Sequence, residues 1–239
     1  MRLLAIDTAT EALSAALLID DALLARYEVI GRGHAERVLP LVDELLLEAG
    51  VALASLDAIA FGRGPGAFTG VRIAVSAAQG LAFGANLPVV GISDLAALAR
   101  QALDAGRASG LLGPQGAALV CLDARMGEVY AAVGRDRSDG GVDLLGEALQ
   151  APDLVTLGAL DADVPIVAAG HGFSAYPVLA ERFSARSRGF FPGLLPRAEE
   201  IARLAALEVA GGRVVAAELA EPVYLRNEVA TRSGRSPVA

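Results

Sequence analysis

Gly62, Gly64, Gly66 and Gly70 fall within nine positions, with Pro65 among them. They join a short apolar run, Ala58–Phe61, to a small-residue helix pattern. In that pattern Val71, Ala74, Val75, Ala78, Leu81 and Ala82 share one face. Glycine at this density permits a tight strand-to-helix turn and close approach of other backbone or a ligand. Thr69 is a candidate helix N-cap. One chemistry open to such a turn is anion binding at a helix N-terminus, helped by Arg63 and Arg72. The spacing is neither G-x-x-x-x-G-K-[ST] nor G-x-G-x-x-G, and the chain contains no lysine. Two other readings stand beside it. The turn seats a close-packed helix and nothing more, or the helix is kept small so that another helix can come close.

Few other residues offer chemistry. His34 and His171 are the two histidines, too few for a His-based metal site. Neither has a nucleophile near it in sequence, so neither reads as a general base. Cys121 lies in an apolar run and reads as a buried thiol. Asp7 and Asp123 each end an apolar strand pattern, where a carboxylate can close an Asx turn.

The elements that carry these residues follow a repeated order. Leu3–Ile6, Leu13–Ile19 and Leu23–Val29 read as a three-strand antiparallel meander. A helix is expected from about Ala35 to Ala49, with Leu39, Val42, Leu45, Leu46 and Ala49 on one face and Pro40 inside the pattern. Val38, Leu41 and Leu47 make its other side apolar as well, the pattern of a helix buried on both sides. A strand at 87–92 and a helix over 95–103, capped by Ser93 or Asp94, come next. Asp104–Gly116 reads as a glycine-rich linker. The order then recurs: 4–17 aligns without gaps with 120–133, placing Asp7 on Asp123, and Ile59–Gly64 matches Val167–Gly172. The expected fold is α/β, with each copy a mixed sheet plus a helix and further β/α units. A helix over 198–210 and a last helical pattern over 214–219 close the second copy. The divisions expected are 1–108, 109–225 and a disordered tail over 226–239.

Composition narrows the function. A net charge of −8, with all 20 basic residues arginine, lacks the basic footprint of a stand-alone nucleic-acid binder. No signal peptide is apparent, and the apolar runs are too short to span a bilayer, so a cytoplasmic, soluble protein is expected.

Duplicated lobes, each opening with a strand that ends in Asp, resemble the actin/sugar kinase/Hsp70 superfamily, whose lobes are ribonuclease H-like. Four stretches narrow the likeness: IDTAT at 6–10, HAERVLPLVDELL at 34–46, GRGPGAFTGVRIA at 62–74 and PVYLRNEVA at 222–230. With them the chain resembles the bacterial tRNA threonylcarbamoyladenosine biosynthesis family TsaB, or YeaZ, over nearly its whole length. The resemblance implies a non-catalytic paralogue of TsaD. With TsaD and the ATPase TsaE, it would support transfer of threonylcarbamoyl from threonylcarbamoyl-adenylate to N6 of the adenosine 3′ of the anticodon in ANN-reading tRNAs. It further implies docking on TsaD through amino-lobe helices, a homodimer when alone, and tRNA contact only through the complex. No cofactor is expected on this chain alone, ATP and a metal ion being used by the partner subunits.

The resemblance can be tested residue by residue. TsaD carries an HxxxH metal motif on the helix after its Pro-x-x-Gly strand. Those two positions fall here on Asp94 and Leu98, and Leu98 cannot bind a metal. The superfamily's Asp-x-Gly phosphate turn is missing at Asp7-Thr8-Ala9-Thr10 and at Asp123-Ala124-Arg125, where a β-carbon crowds a phosphate. Weak or absent nucleotide binding follows. The implied partner interface comprises His34, Val38, Leu41, Val42, Leu45, Arg63, Phe68, Arg72, Val75, Ala78 and Gln79. The alternatives are an independent actin-superfamily enzyme, either a small-molecule kinase or a glycoprotease-like peptidase, and a purely structural homodimer.

Overall fold

The computed structural model describes residues 1–226; of the tail expected to be disordered over 226–239, Arg226 is held by Glu128 and Ala124, and 227–239 lie outside the described residues. Strands β1 (Arg2–Asp7), β2 (Ala12–Ile19) and β3 (Ala22–Val29) form the antiparallel meander. Helix α1 (His34–Ala49) follows, then β4 (Ala58–Gly62), α2 (Phe68–Ala85), β5 (Val89–Ile92) and α3 (Asp94–Ala108). The second half runs β6 (Ala117–Arg125), β7 (Glu128–Asp136), β8 (Val142–Gln150), β9 (Ile166–Ala169), α4 (Gly172–Ala175), α5 (Pro177–Phe183), β10 (Ser187–Phe191) and α6 (Ala198–Ala210).

The two sheets have one topology. The first is ordered β3-β2-β1-β4-β5 and the second β10-β9-β6-β7-β8, the same order read from the opposite edge. In both, the first two pairings are antiparallel, and the opening strand lies parallel to the fourth. The central strands β1, β4 and β9 are buried, which explains their continuous apolar runs in place of alternation. The expected α/β architecture of duplicated actin-like lobes is the observed one.

Five layers result. α1 and α2 cover the outer face of the first sheet, with Leu41, Val42, Leu45, Val71, Ala74 and Ala78 in its core. α4 and α5 cover the outer face of the second. Between the sheets lie α3 and α6, and each packs mainly on the sheet of the other half. Leu95, Leu98, Ala99, Ala102 and Leu103 of α3 join the core of the second sheet. Ala198, Ile201, Ala202 and Ala205 of α6 join that of the first.

Several expectations fail for local reasons. The second half has no counterpart of α1: between β8 and β9 there is only a 3₁₀ turn, Pro152–Leu154. Residues 151–165 hold Pro152, Gly158, Pro165 and three aspartates, without a helical apolar period. The linker expected from Asp104 begins later, because α3 continues to Ala108. Gly106 is a packing residue there, since a β-carbon on it would stand 2.8 Å from Leu112 and 3.1 Å from Val167. The last helical pattern shrinks to a 3₁₀ turn at Ala217–Leu219, because Val215 pairs with Val89 on the edge of β5. Among the described residues, no helix is long and apolar enough to cross a membrane.

Candidate functional site

The glycine turn between β4 and α2 accommodates the chain's own backbone. A β-carbon on Gly66 would collide with the carbonyl of Ala9, and one on Gly70 with the carbonyl of Thr8. Ala67 N–H donates to Ala9 O (2.7 Å), and Thr8 Oγ1 donates to Gly70 O (2.6 Å). The close approach that glycine permits is thus used by the 7–10 turn. Thr69 does not cap α2: Ala67 holds the N-cap position, with no side-chain cap.

Gly62 makes room for two carboxyl groups. A β-carbon there would lie 2.5 Å from Asp94 Oδ1 and 2.7 Å from Asp7 Oδ1. Both aspartates are completely buried. Asp7 Oδ1 accepts from Ala9 N–H (2.8 Å), and Asp94 Oδ2 accepts from Gly64 N–H (2.6 Å). The two carboxyls face each other across the space that Gly62 leaves. Asp7 Oδ2 and Asp94 Oδ1 are buried without a hydrogen-bond partner, an arrangement in which two carboxylates side by side disfavour a second charge. Burial raises both acids: Asp7 to about 6, and Asp94 well above the ordinary carboxylate range, further raised by the Asp7 charge. Asp94 is the first residue of α3, and Ser93 is its cap, Oγ accepting from Ala96 N–H (3.4 Å). Leu98, one turn on, is buried in the second half's core, where a β-carbon on Gly170 would stand 2.9 Å from it. Among the described residues no three His, Cys, Asp or Glu side chains converge on a metal-sized space.

A cleft of about 850 Å³ separates the two opening turns. Thr10 and Glu11 line it from the first lobe, and Asp123, Arg125 and His171 from the second. Asp123 Oδ1 is engaged by Arg125 N–H (2.8 Å) and Tyr176 Oη–H (3.0 Å), and Arg125 pairs with its other oxygen (3.0 Å). Asp7 and Thr8 are buried beneath the cleft and do not line it. His171 Nδ1 is buried without a partner, and burial lowers the ring's pKa. Neither opening turn, 7–10 nor 123–125, contains a glycine; Gly31 and Gly66 line the cleft elsewhere.

A groove of about 570 Å³ lies between α1 and α2. Leu39 (47% exposed) and Ala35 line it from α1; Phe68 (52% exposed), Thr69, Arg72, Ile73, Ser76 and Ala77 line it from α2. The exposed stripe of α2 continues through Gly80, Phe83 and Gly84.

Most residues expected at a partner interface are buried within this chain or line other surfaces. His34, Leu41, Val42, Leu45, Val75 and Ala78 are buried in the first lobe, and Val38 is buried at the groove floor. Gln79 Nε2 donates to Ala217 O (3.1 Å). Arg63 faces a different cavity and lies 3.6 Å from Glu147 of β8, bracing the two halves. Of the expected set only Phe68 and Arg72 combine exposure with a place in the groove. The reason is helical phase. Val38, Leu41, Val42 and Leu45, spaced i, i+3, i+4, i+7, form the buried stripe of α1, which rotates Leu39 outward. Leu39, Thr69, Ile73 and Ser76, which also line the groove, carried that phase as their only signal in the sequence.

A family model described as TsaD, tRNA N6-adenosine threonylcarbamoyltransferase, matches residues 27–164. The protein "tRNA threonylcarbamoyladenosine biosynthesis protein TsaB" of Escherichia coli K12 is 42% identical over 231 residues, 96% of this chain and 96% of that one. The TsaB of Haemophilus influenzae is 39% identical over 237 residues, 96% of this chain and 95% of that one. The chain belongs to the TsaB family, a branch of the fold that the TsaD model describes. The solved structure of YeaZ from Pseudomonas aeruginosa shares it with a TM-score of 0.81, at 45% identity over 94% of this chain and 99% of that one. In this TsaB-family chain, the helix expected to bear the TsaD metal motif contributes Asp94, one member of the buried carboxyl pair, and a core leucine.

Proposed function

We propose that this protein is a non-catalytic subunit in tRNA threonylcarbamoyladenosine synthesis, docking on the catalytic paralogue TsaD through the α1–α2 groove. TsaD transfers threonylcarbamoyl from threonylcarbamoyl-adenylate to N6 of the adenosine 3′ of the anticodon, with TsaE, ATP and a metal ion on the partners' side. The observation that carries this reading is the contrast between two sites. Asp94 and Leu98 are sealed inside the molecule, one buried beside Asp7 and the other packed in the core. The α1–α2 groove, lined by Leu39, Phe68 and Ile73, is open. Small residues at Ser76, Ala77 and Gly80 let a partner helix approach, which suits completion of a four-helix interface. In the absence of TsaD the same surface would pair two copies of this chain.

The test is reconstitution of tRNA modification with each component omitted in turn. Omission of this chain should abolish modification; undiminished modification would refute the subunit reading. Ala77→Arg should remove the TsaD complex from size-exclusion chromatography while leaving the fold intact. An unchanged complex would reject the groove as the docking site. An independent kinase would instead bind ATP tightly as the isolated chain, which calorimetry would detect.

A further inference from the structure

Glu221–Arg226, the last described segment, has no regular secondary structure, and its residues Val223–Arg226 line the interlobe cleft. It is fastened at both ends. In the first lobe Val223 N–H donates to Arg63 O (2.7 Å), and a β-carbon on Gly64 would stand 2.8 Å from Val223 O. The Tyr224 ring lies 5.5 Å from that of Phe68, and the Arg72 guanidinium sits 3.4 Å from the Phe68 centroid and 5.2 Å from that of Tyr224. In the second lobe Leu225 packs on the core, and Arg226 pairs with Glu128 (2.6 Å) and donates to Ala124 O (3.1 Å). That end grips the β6–β7 hairpin, whose Arg125 and Met126 have φ of 64° and 56°. Non-glycine residues persist in the left-handed region only where surrounding contacts hold them.

Phe68 and Arg72 line two openings at once, the interlobe cleft and the α1–α2 groove. A partner helix seated in the groove must meet the same Phe68–Arg72–Tyr224 stack that anchors the strap. We propose that the strap couples the groove to the second lobe: seating a partner on Phe68 and Arg72 tightens the strap's grip on the β6–β7 hairpin, and releasing the hairpin end weakens docking. Reciprocity follows from linkage, since each event can favour the other only by the same free energy. The docking half of this inference rests on the function proposed above; the strap half does not.

The experiment uses the full chain and its Arg226→Ala variant. Hydrogen exchange is read first on the chain alone. Amides of 63–72 should exchange about tenfold faster in the variant, while those of β1 and β6 stay protected. Unchanged exchange over 63–72 would overturn the coupling whatever the partner does. Calorimetry with purified TsaD is read second: affinity should fall about threefold to tenfold, although Arg226 does not line the groove. An affinity equal to that of the unmodified chain would overturn the link to docking. If the unmodified chain fails to bind TsaD at all, the docking reading falls and the exchange result still decides the strap. Should Arg226→Ala loosen β1 and β6 as well, Glu128→Gln, which keeps the side-chain shape, is read in its place against the same two outcomes.

Discussion

Asp7 and Asp94 carry a proton at a pH where most carboxylates have lost theirs, because burial disfavours a second charge between them. The sign of the linkage follows. Both pKa values are raised above those of the unfolded chain, so the pair contributes most below about pH 4. That contribution is lost as pH rises through about 6 for Asp7 and further above for Asp94. The loss is on the order of 2 kcal/mol or more. Asp94→Asn can keep the bond from Gly64 N–H and donate its amide to Asp7 Oδ2. It should flatten the fall in melting temperature between pH 6 and pH 8 and raise the value at pH 8. A slope equal to that of the parent protein would show that the pair does not set it. Gly70→Ala probes the other contact of this turn. It drives a methyl group into the Thr8 carbonyl and strains the Thr8 Oγ1 hydrogen bond, a destabilisation of about 3 kcal/mol or more by denaturant unfolding. A loss below about 1 kcal/mol would mean that the turn relaxes freely. From the sequence, Asp7 was legible as an Asx-turn residue and Asp94 as a helix-start residue. Their meeting was not, because 86 residues of intervening chain separate them and only the folded β4 turn brings them together.

At the scale of elements, α1 shows what periodicity can and cannot decide. Its length and its stop at Gly50 follow from the apolar pattern and from glycine in the left-handed conformation (φ 63°). Which stripe faces inward does not, because apolar residues occupy both candidate stripes. The sheet beneath settles it by taking Val38, Leu41, Val42 and Leu45. Leu41→Ala should therefore cost about 2–5 kcal/mol of stability, and Leu39→Ala less than about 1 kcal/mol while weakening partner binding. Equal destabilisation by the two would reverse the assignment of faces. α2 was easier to read, since Val71, Ala74, Val75, Ala78 and Ala82 form one unbroken stripe, with Arg72, Ser76, Gly80 and Phe83 opposite. The missing second-lobe helix was masked by the weakness of the repeat: strand identity survives divergence, whereas residues 151–165 lost the periodicity of a helix.

At the scale of the whole molecule, the duplication was visible in strand order and the matched aspartates, and both sheets keep it. The placement of α3 and α6 was not visible. Both have ordinary amphipathic patterns, and nothing in a pattern says which sheet an apolar face will meet. Chain order puts α3 after the first sheet and α6 after the second; packing reverses both. Cutting the chain between residues 108 and 109 therefore separates each sheet from the helix that covers its inner face. Leu3, Ala5, Ala58 and Ala60 would be laid open in one fragment, and Ala118, Val120, Val167 and Ala169 in the other. Each fragment alone should be insoluble or molten by near-ultraviolet circular dichroism and dye binding, and the two co-expressed should recover a native complex. Two separately folded fragments would contradict this. Gene duplication normally yields two modules that can later part company. Here each copy surrendered a structural helix to its sibling, so neither can now be shed, swapped or inherited without the other.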